Sequence, residues 1–256
     1  MSAVATPEAR LRRWNVVVGL LHAAQAGVLL AIASDASLPV TSSYMTGAPG
    51  SGLRSDVETV FELAFAPAVA AFLLLAAADH LLMAAPRISD WYATNVARGV
   101  NPARWWEYSL SASLMVVLIA MLTGIEEITA LIAIFGANAA MILFGLLMER
   151  ANSPGRPVDW LPFAYGCVIG AVPWIAIGYQ LIRSEVATDG DVPTFVFAIF
   201  VSLFVLFNSF AVNMALQYRR RGRWRDPFFV ERVYILLSLV AKSALAWQVY
   251  AGALAG

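Results

Sequence analysis

The chain has 256 residues, 60% of them hydrophobic and 13% charged, with 17 basic and 17 acidic side chains and a formal net charge of zero. An ordinary soluble domain carries roughly 25% charge, so the composition excludes one and points to a polytopic membrane protein. It also leaves no basic excess for nucleic acid, while the single cysteine, Cys167, permits no internal disulfide and reads as a small packing residue in an apolar stretch.

A membrane helix needs about 20 mainly apolar residues, and seven stretches of the chain qualify. The first follows a basic N-terminus, "MSAVATPEARLRRW", and outruns the roughly 7–15 apolar residues of a signal peptide, so 14–34 is expected to be a membrane helix. After it comes the longest loop, "SDASLPVTSSYMTGAPGSGLRSD", with a strand expected at 40–45 in a short β-hairpin used for pairing with another subunit. The second span is expected at 59–85. "NPAR" then supplies Asn101 as a cap with Pro102 in the first turn of the third span, 103–123. The fourth, 127–149, ends at "NSPGRP", and the remaining spans are expected at 160–182, 193–218 and 230–253. The whole chain, 1–256, thus reads as one all-α seven-helix membrane domain.

An odd number of spans puts the termini on opposite sides. Arg10, Arg12, Arg13, Arg87, Arg98, Arg104, Arg150, Arg156 and the cluster Arg219, Arg220, Arg221, Arg223, Arg225 and Arg232 all fall on the N-terminal side, against Arg54 and Arg183 on the other. By the positive-inside rule the N-terminus is cytoplasmic and the C-terminus extracellular. The exterior loops carry Asp35, Asp56, Glu126, Glu127, Glu185, Asp189 and Asp191.

Within the seventh span, Lys242 is the only lysine of the chain, in a run, "YILLSLVAKSALAWQVYAGALAG", that is otherwise uncharged. A lysine at bilayer depth costs about 2.5–3.5 kcal/mol, which argues for a function such as covalent anchorage of an aldehyde cofactor. Arginine cannot replace it there, because it offers no neutral amine. Its best-placed acid is Glu107 in "RWWEYSLSASLMVVLIAMLTG". At 1.5 Å per residue Glu107 lies about 25 Å below the outer end of span three, and Lys242 roughly 17–20 Å below that of span seven. The lysine stem leans towards its helix N-terminus, so amine and carboxylate can meet. Ser238 shares the lysine's face four residues earlier. Glu107, Ser111 and Met115 share a face of span three, and Asn138, Met141 or Ile142, and Gly145 form an inward stripe on span four; such stripes serve equally for helix packing.

At this point the runs "WWEYSLSAS", "ALIAIFGANAAMILFG", "LPFAYGCVIGAVPW", "LFNSFA" and "LSLVAKSALAWQ" become informative together. The chain resembles the heliorhodopsins, retinal proteins inverted in the membrane relative to other rhodopsins, over essentially its full length. The resemblance implies all-trans retinal bound to Lys242 as a protonated Schiff base, with Glu107 as counterion and Ser238 near the imine. Ser111, Met115, Asn138, Met141, Gly145, Phe204, Phe207 and Trp247 become pocket residues, and Pro173 shapes the fifth span. His22 and His80 match polar positions in the region that holds the released proton, a range in which histidine titrates; taken alone, each reads equally as a hydrogen-bonded packing group. A homodimer is also implied.

No acid continues along span three beyond Glu107, since 114–121 is entirely apolar. That favours a non-enzymatic light sensor over a proton pump. The loop "QYRRRGRWRDPFFVER" is the expected surface for a cytoplasmic signalling partner, or simply topogenic charge near anionic lipid. Light-gated proton conduction and a non-pigment transporter using the Lys242 and Glu107 pair stay as alternatives. A metal enzyme built on His22, Asp79 and His80 lacks ligand spacing, so no metal or catalytic residue is expected.

Overall fold

The computed structural model describes residues 6–152 and 156–255; residues 153–155, within the "NSPGRP" break, lie outside them. Helix α1 (Pro7–Ile32) is followed by strands β1 (Ser37–Ser42) and β2 (Glu58–Ala64) and then by α2 (Phe65–Ala84). A short α3 (Ile88–Ala97) leads to α4 (Pro102–Leu122), α5 (Ile128–Ala151), α6 (Leu161–Ala187), α7 (Thr194–Arg219) and α8 (Pro227–Val249). A 3-10 turn, Gly222–Arg225, precedes α8, and a π-helical turn, Tyr250–Leu254, ends it.

The helix starts follow their capping chemistry. Thr6 Oγ1 accepts from the Ala9 amide at 3.3 Å ahead of Pro7, so α1 begins earlier than the apolar run alone indicates. Asn101 Oδ1 accepts from the Arg104 amide at 3.3 Å, and Asp226 Oδ1 from the Phe228 amide at 2.9 Å, each before a proline. Glu127 caps α5, accepting from the Thr129 and Ala130 amides at 2.8 and 3.1 Å.

Successive long helices pack side by side, and α8 closes the ring against α1. Six of them are long and apolar enough to cross a membrane. The seventh, α8, carries Glu231, Arg232 and Lys242, and two of those charges are neutralised inside the ring by Arg104 and Glu107. Outward faces present Val168, Ile175, Tyr179, Val201 and Val205, all more than half exposed, as expected of surfaces that meet lipid rather than water.

Three expectations are corrected. Residues 59–64, expected to open the second span, belong to β2, which pairs antiparallel with β1 from Ser37↔Ala64 to Ser42↔Glu58. The segment "ETVFELA" meets a partner strand, and its ladder hydrogen bonds win over helix. The expected strand at 40–45 starts earlier, at Ser37; beyond Ser42 only an isolated bridge joins Met45 to Arg54. The hairpin is tied to the bundle where Thr41 N donates to Glu126 O at 2.9 Å. The segment between α2 and α4, expected as loop, contains α3, whose Tyr92 and Val96 pack with Leu11, Met83 and Ile235.

Candidate functional site

Lys242 is 3% exposed on α8. Its Nζ donates to Ser238 Oγ at 2.9 Å, lies 3.4 Å from Glu107 Oε1 and sits 4.8 Å from the centre of the Tyr108 ring. Ser238 reaches it because four residues are about one helical turn; Glu107 reaches it because α4 and α8 run past each other at the depth their lengths dictate. The ammonium is therefore paired, hydrogen-bonded and faced by a π-cloud, the combination that makes a buried cation tolerable.

From this lysine a cavity of about 270 Å³ extends between α4, α5, α6, α7 and α8. Met115, Met141, Gly145, Phe204, Phe207, Ser238 and Lys242 all line it. Its walls also include Trp105, Tyr108 and Trp174, which the sequence reading passed over. Trp174 stands edge-on to Phe204 and Phe207, with centroids 5.4 and 5.5 Å apart. Pro173, buried inside α6, immediately precedes it, so the residue picked from the sequence stands next to the one that forms the wall. Gly145 is required by close approach: a Cβ there would run into the Trp105 indole, and one at Gly170 into Met141. Cys167 is exposed and on the cavity lining, which corrects its reading as an internal packing residue.

Four expected pocket residues lie elsewhere. Ser111 is fully buried one turn after Glu107, its hydroxyl unpartnered. Asn138 Nδ2 donates to Ser113 Oγ at 3.1 Å and so joins α5 to α4. Pro173 is buried inside α6 beside Trp174 but is not itself on the cavity lining. Trp247 is 37% exposed and its indole nitrogen donates to Gln25 Oε1 at 2.9 Å, on the α1 side; the expectation that it lines the pocket is corrected.

His22 and His80 come together from α1 and α2, their rings stacked with centroids 5.8 Å apart and planes 7° from parallel. Both His22 nitrogens are buried without a partner, while His80 Nδ1 lies 2.8 Å from Asn15 Oδ1. Asp79 is half-buried beside them. Among the described residues no group of three or more His, Cys, Asp or Glu side chains could hold a metal.

A second buried ionic cluster was hidden from the sequence reading. Arg104, counted there with the arginines of the cytoplasmic side, is 4% exposed, and its Nη2 lies 2.5 Å from Glu149 Oε1. Its Nη1 pairs with Glu231, and the guanidinium stacks over the Tyr234 ring at 3.9 Å. The main chain of Asn101 donates to Glu149 Oε2 at 2.8 Å, and its side chain to Glu231 Oε1 at 2.8 Å. One cation thus fastens α4, α5 and α8 together. The available signal was two acids, Glu149 and Glu231, at the ends of otherwise apolar spans.

A ring of seven helices around an apolar cavity with a buried, acid-paired lysine at its end defines a rhodopsin-type membrane protein. The heliorhodopsin family profile matches residues 11–254, and the chain belongs to the heliorhodopsin family. Its fold is similar to that of the light-driven proton pump LR (Mac) from Leptosphaeria maculans, at 14% identity over 97% of this chain and 95% of that one, with a TM-score of 0.66. It is similar also to the light-driven proton pump rhodopsin CsR of Coccomyxa subellipsoidea, at 16% identity over 96% of each chain and a TM-score of 0.65. Cyanorhodopsin N4075R from Tolypothrix sp. NIES-4075 aligns at 15% identity over 98% of this chain and 96% of that one, with a TM-score of 0.61. At such identities the likeness is one of fold. No curated protein matches the chain. Family and fold together imply a retinal chromophore, and the lining fits one: apolar and aromatic walls, two glycines where a Cβ would intrude, and one amine at the end.

Proposed function

We propose that the protein is a retinal photoreceptor in which Lys242 holds all-trans retinal covalently and Glu107 balances the charge at Nζ. The observation that carries this reading is Lys242 itself: an otherwise costly amine, 3% exposed, opening onto an apolar cavity with a carboxylate oxygen 3.4 Å away. When bound, retinal supplies light absorption and double-bond isomerisation. Glu107 stabilises a proton on Nζ by its opposite charge, and Ser238 orients Nζ through its hydroxyl. Trp174, Phe204, Phe207 and Trp105 exclude water and confine a long apolar ligand, while His22 and His80 take up the proton when it leaves Nζ.

Sensing is favoured over pumping. Beyond Ser111 the buried residues of α4 are Ser113, whose hydroxyl accepts from Asn138 Nδ2 at 3.1 Å, and then Met115, Val116, Leu118, Ile119, Ala120 and Met121; none is ionisable, whereas ionisable groups cluster on the arginine-rich side. The positive-inside rule places that side in the cytoplasm and the C-terminus outside, in a cell membrane. There the 219–232 segment is the surface for a signalling partner. Exposed Val57, Val60 and Phe61 on the hairpin support pairing of two copies there.

Protein purified with retinal is expected to absorb in the visible, and Lys242→Ala to be colourless; a coloured Lys242→Ala protein refutes the assignment. A sustained, uncoupler-sensitive pH change on illuminating cells would replace sensing by pumping.

A further inference from the structure

His80 is held by a chain of hydrogen bonds whose directions can be deduced by counting donors. Glu231 accepts at Oε2 from Arg104 and at Oε1 from Tyr92 and Asn101, the latter two at 2.9 and 2.8 Å. A carboxylate has no hydrogen to give, so the Tyr92 hydroxyl spends its own on Glu231 and can only accept on its other side. That side faces Asn15 Nδ2 at 3.4 Å. The same Nδ2 lies 3.1 Å from the Leu11 carbonyl, which also can only accept. Two acceptors on one side fix the orientation of the Asn15 amide, the assignment such groups ordinarily leave open, and turn its Oδ1 towards His80 Nδ1 at 2.8 Å. Oδ1 donates nothing, so Nδ1 must carry the hydrogen.

We propose that Asn15 is a positioning residue that presets neutral His80 as the Nδ1–H tautomer, leaving Nε2 as the lone-pair edge that accepts a proton. Asn15 engages the ring at Nδ1, so Nε2 is the nitrogen left to meet an incoming proton. The opposite tautomer would set two lone pairs against each other across 2.8 Å and put a hydrogen where a proton must arrive. On the reading that His80 receives the proton from Lys242 Nζ, the preset arrangement needs no rearrangement. Nζ loses the proton, Nε2 gains it, and the Nδ1–H···Oδ1 bond to Asn15 persists and strengthens with the charge. Total charge is unchanged. The far end of the chain is the Arg104, Glu149 and Glu231 cluster, so a charge on His80 is linked by continuous hydrogen bonds to the fastening of α4, α5 and α8. His22, stacked on His80 but with neither nitrogen partnered, has no such preset, which distinguishes the two histidines.

The test is ¹⁵N NMR of the full-length protein labelled at histidine, in lipid, at a pH where the rings are neutral, recorded with and without retinal. Signals absent from His80→Gln identify the ring. The expected spectrum has a protonated Nδ1 and a bare Nε2 for His80. Asn15→Leu is expected to lose that preference and, in the retinal-loaded protein, to diminish the light-induced loss of the visible band severalfold. A wild-type His80 protonated at Nε2 overturns the proposal without any variant having to fold, as does an unchanged tautomer in folded Asn15→Leu. Because the retinal-free spectrum carries the tautomer, a chain that never turns coloured would refute the photoreceptor reading and leave this result standing.

Discussion

Replacing Arg104 by glutamine removes the cation that pairs with both Glu149 and Glu231, which are 4% and 5% exposed. Glu149 would keep the Asn101 amide at 2.8 Å, and Glu231 would keep Tyr92 and Asn101 on Oε1, but one oxygen of each carboxylate would lose its donor. The stacking of the guanidinium on Tyr234 at 3.9 Å would also go. Leaving a buried charge uncompensated costs about 3–5 kcal/mol. With about 2–4 °C per kcal/mol for a chain of this size, the midpoint of thermal unfolding should fall by about 6–20 °C. Replacing Arg104, Glu149 and Glu231 together by Met, Leu and Leu should recover most of that, since such a triad exchanged for apolar packing is often close to neutral. Heating the purified protein in detergent while following helical circular dichroism measures both. An Arg104→Gln midpoint within about 2 °C of wild type would show that the cluster does not fasten the three helices.

Enlarging Gly145 to leucine forces the Trp105 indole into the cavity; overpacking of this kind costs about 1–3 kcal/mol, and retinal bound per protein, read from absorbance, should drop sharply, with normal uptake excluding this cavity as the seat. Glu107→Gln should shift the visible band to the red or lower the pH at which Nζ loses its proton, and an unchanged spectrum and titration would remove Glu107 as counterion. The Glu127 carboxyl is held below the usual carboxylate range, chiefly by the Thr129 hydroxyl and then by the Ala130 amide. A depressed carboxyl stabilises the fold above its ordinary titration range and loses that contribution as the pH falls through the depressed one. Glu127→Gln should therefore lower the unfolding midpoint at neutral pH, with the gap to wild type closing in acid; a gap independent of pH would discount the cap.

Much of the bundle was legible because a span must be apolar for its whole length, and the meeting of Lys242 with Glu107 followed from helix rise. Side-chain stripes likewise found Met115, Met141 and Gly145, since a shared helical face survives any rotation of the helix. What failed were properties that need a neighbour. Trp247 lies five residues beyond Lys242, about 140° around a helix of 3.6 residues per turn, and so turns to α1 and Gln25. Arg104 was counted only as a cytoplasmic-side charge because charge counting cannot show that Glu149 and Glu231 arrive from two other helices at the same depth. Strand β2 was hidden in an apolar run continuous with α2, and only its pairing with β1 separates them. Short α3, ten residues with two of them buried, is about half the length of a membrane span, so a search for runs of about 20 apolar residues passes over it.

The central claim concerns one bond, between Lys242 Nζ and the aldehyde carbon of retinal, formed with loss of water. Borohydride reduction of the retinal-loaded protein, followed by proteolysis and mass spectrometry, converts that bond into a stable amine at a defined residue. A retinyl adduct on the peptide containing "VAKSALAW" is predicted, at about one per chain and absent from Lys242→Ala. Retinal that washes out unreduced, or an adduct at the N-terminal amine with Lys242 unmodified, would contradict the account.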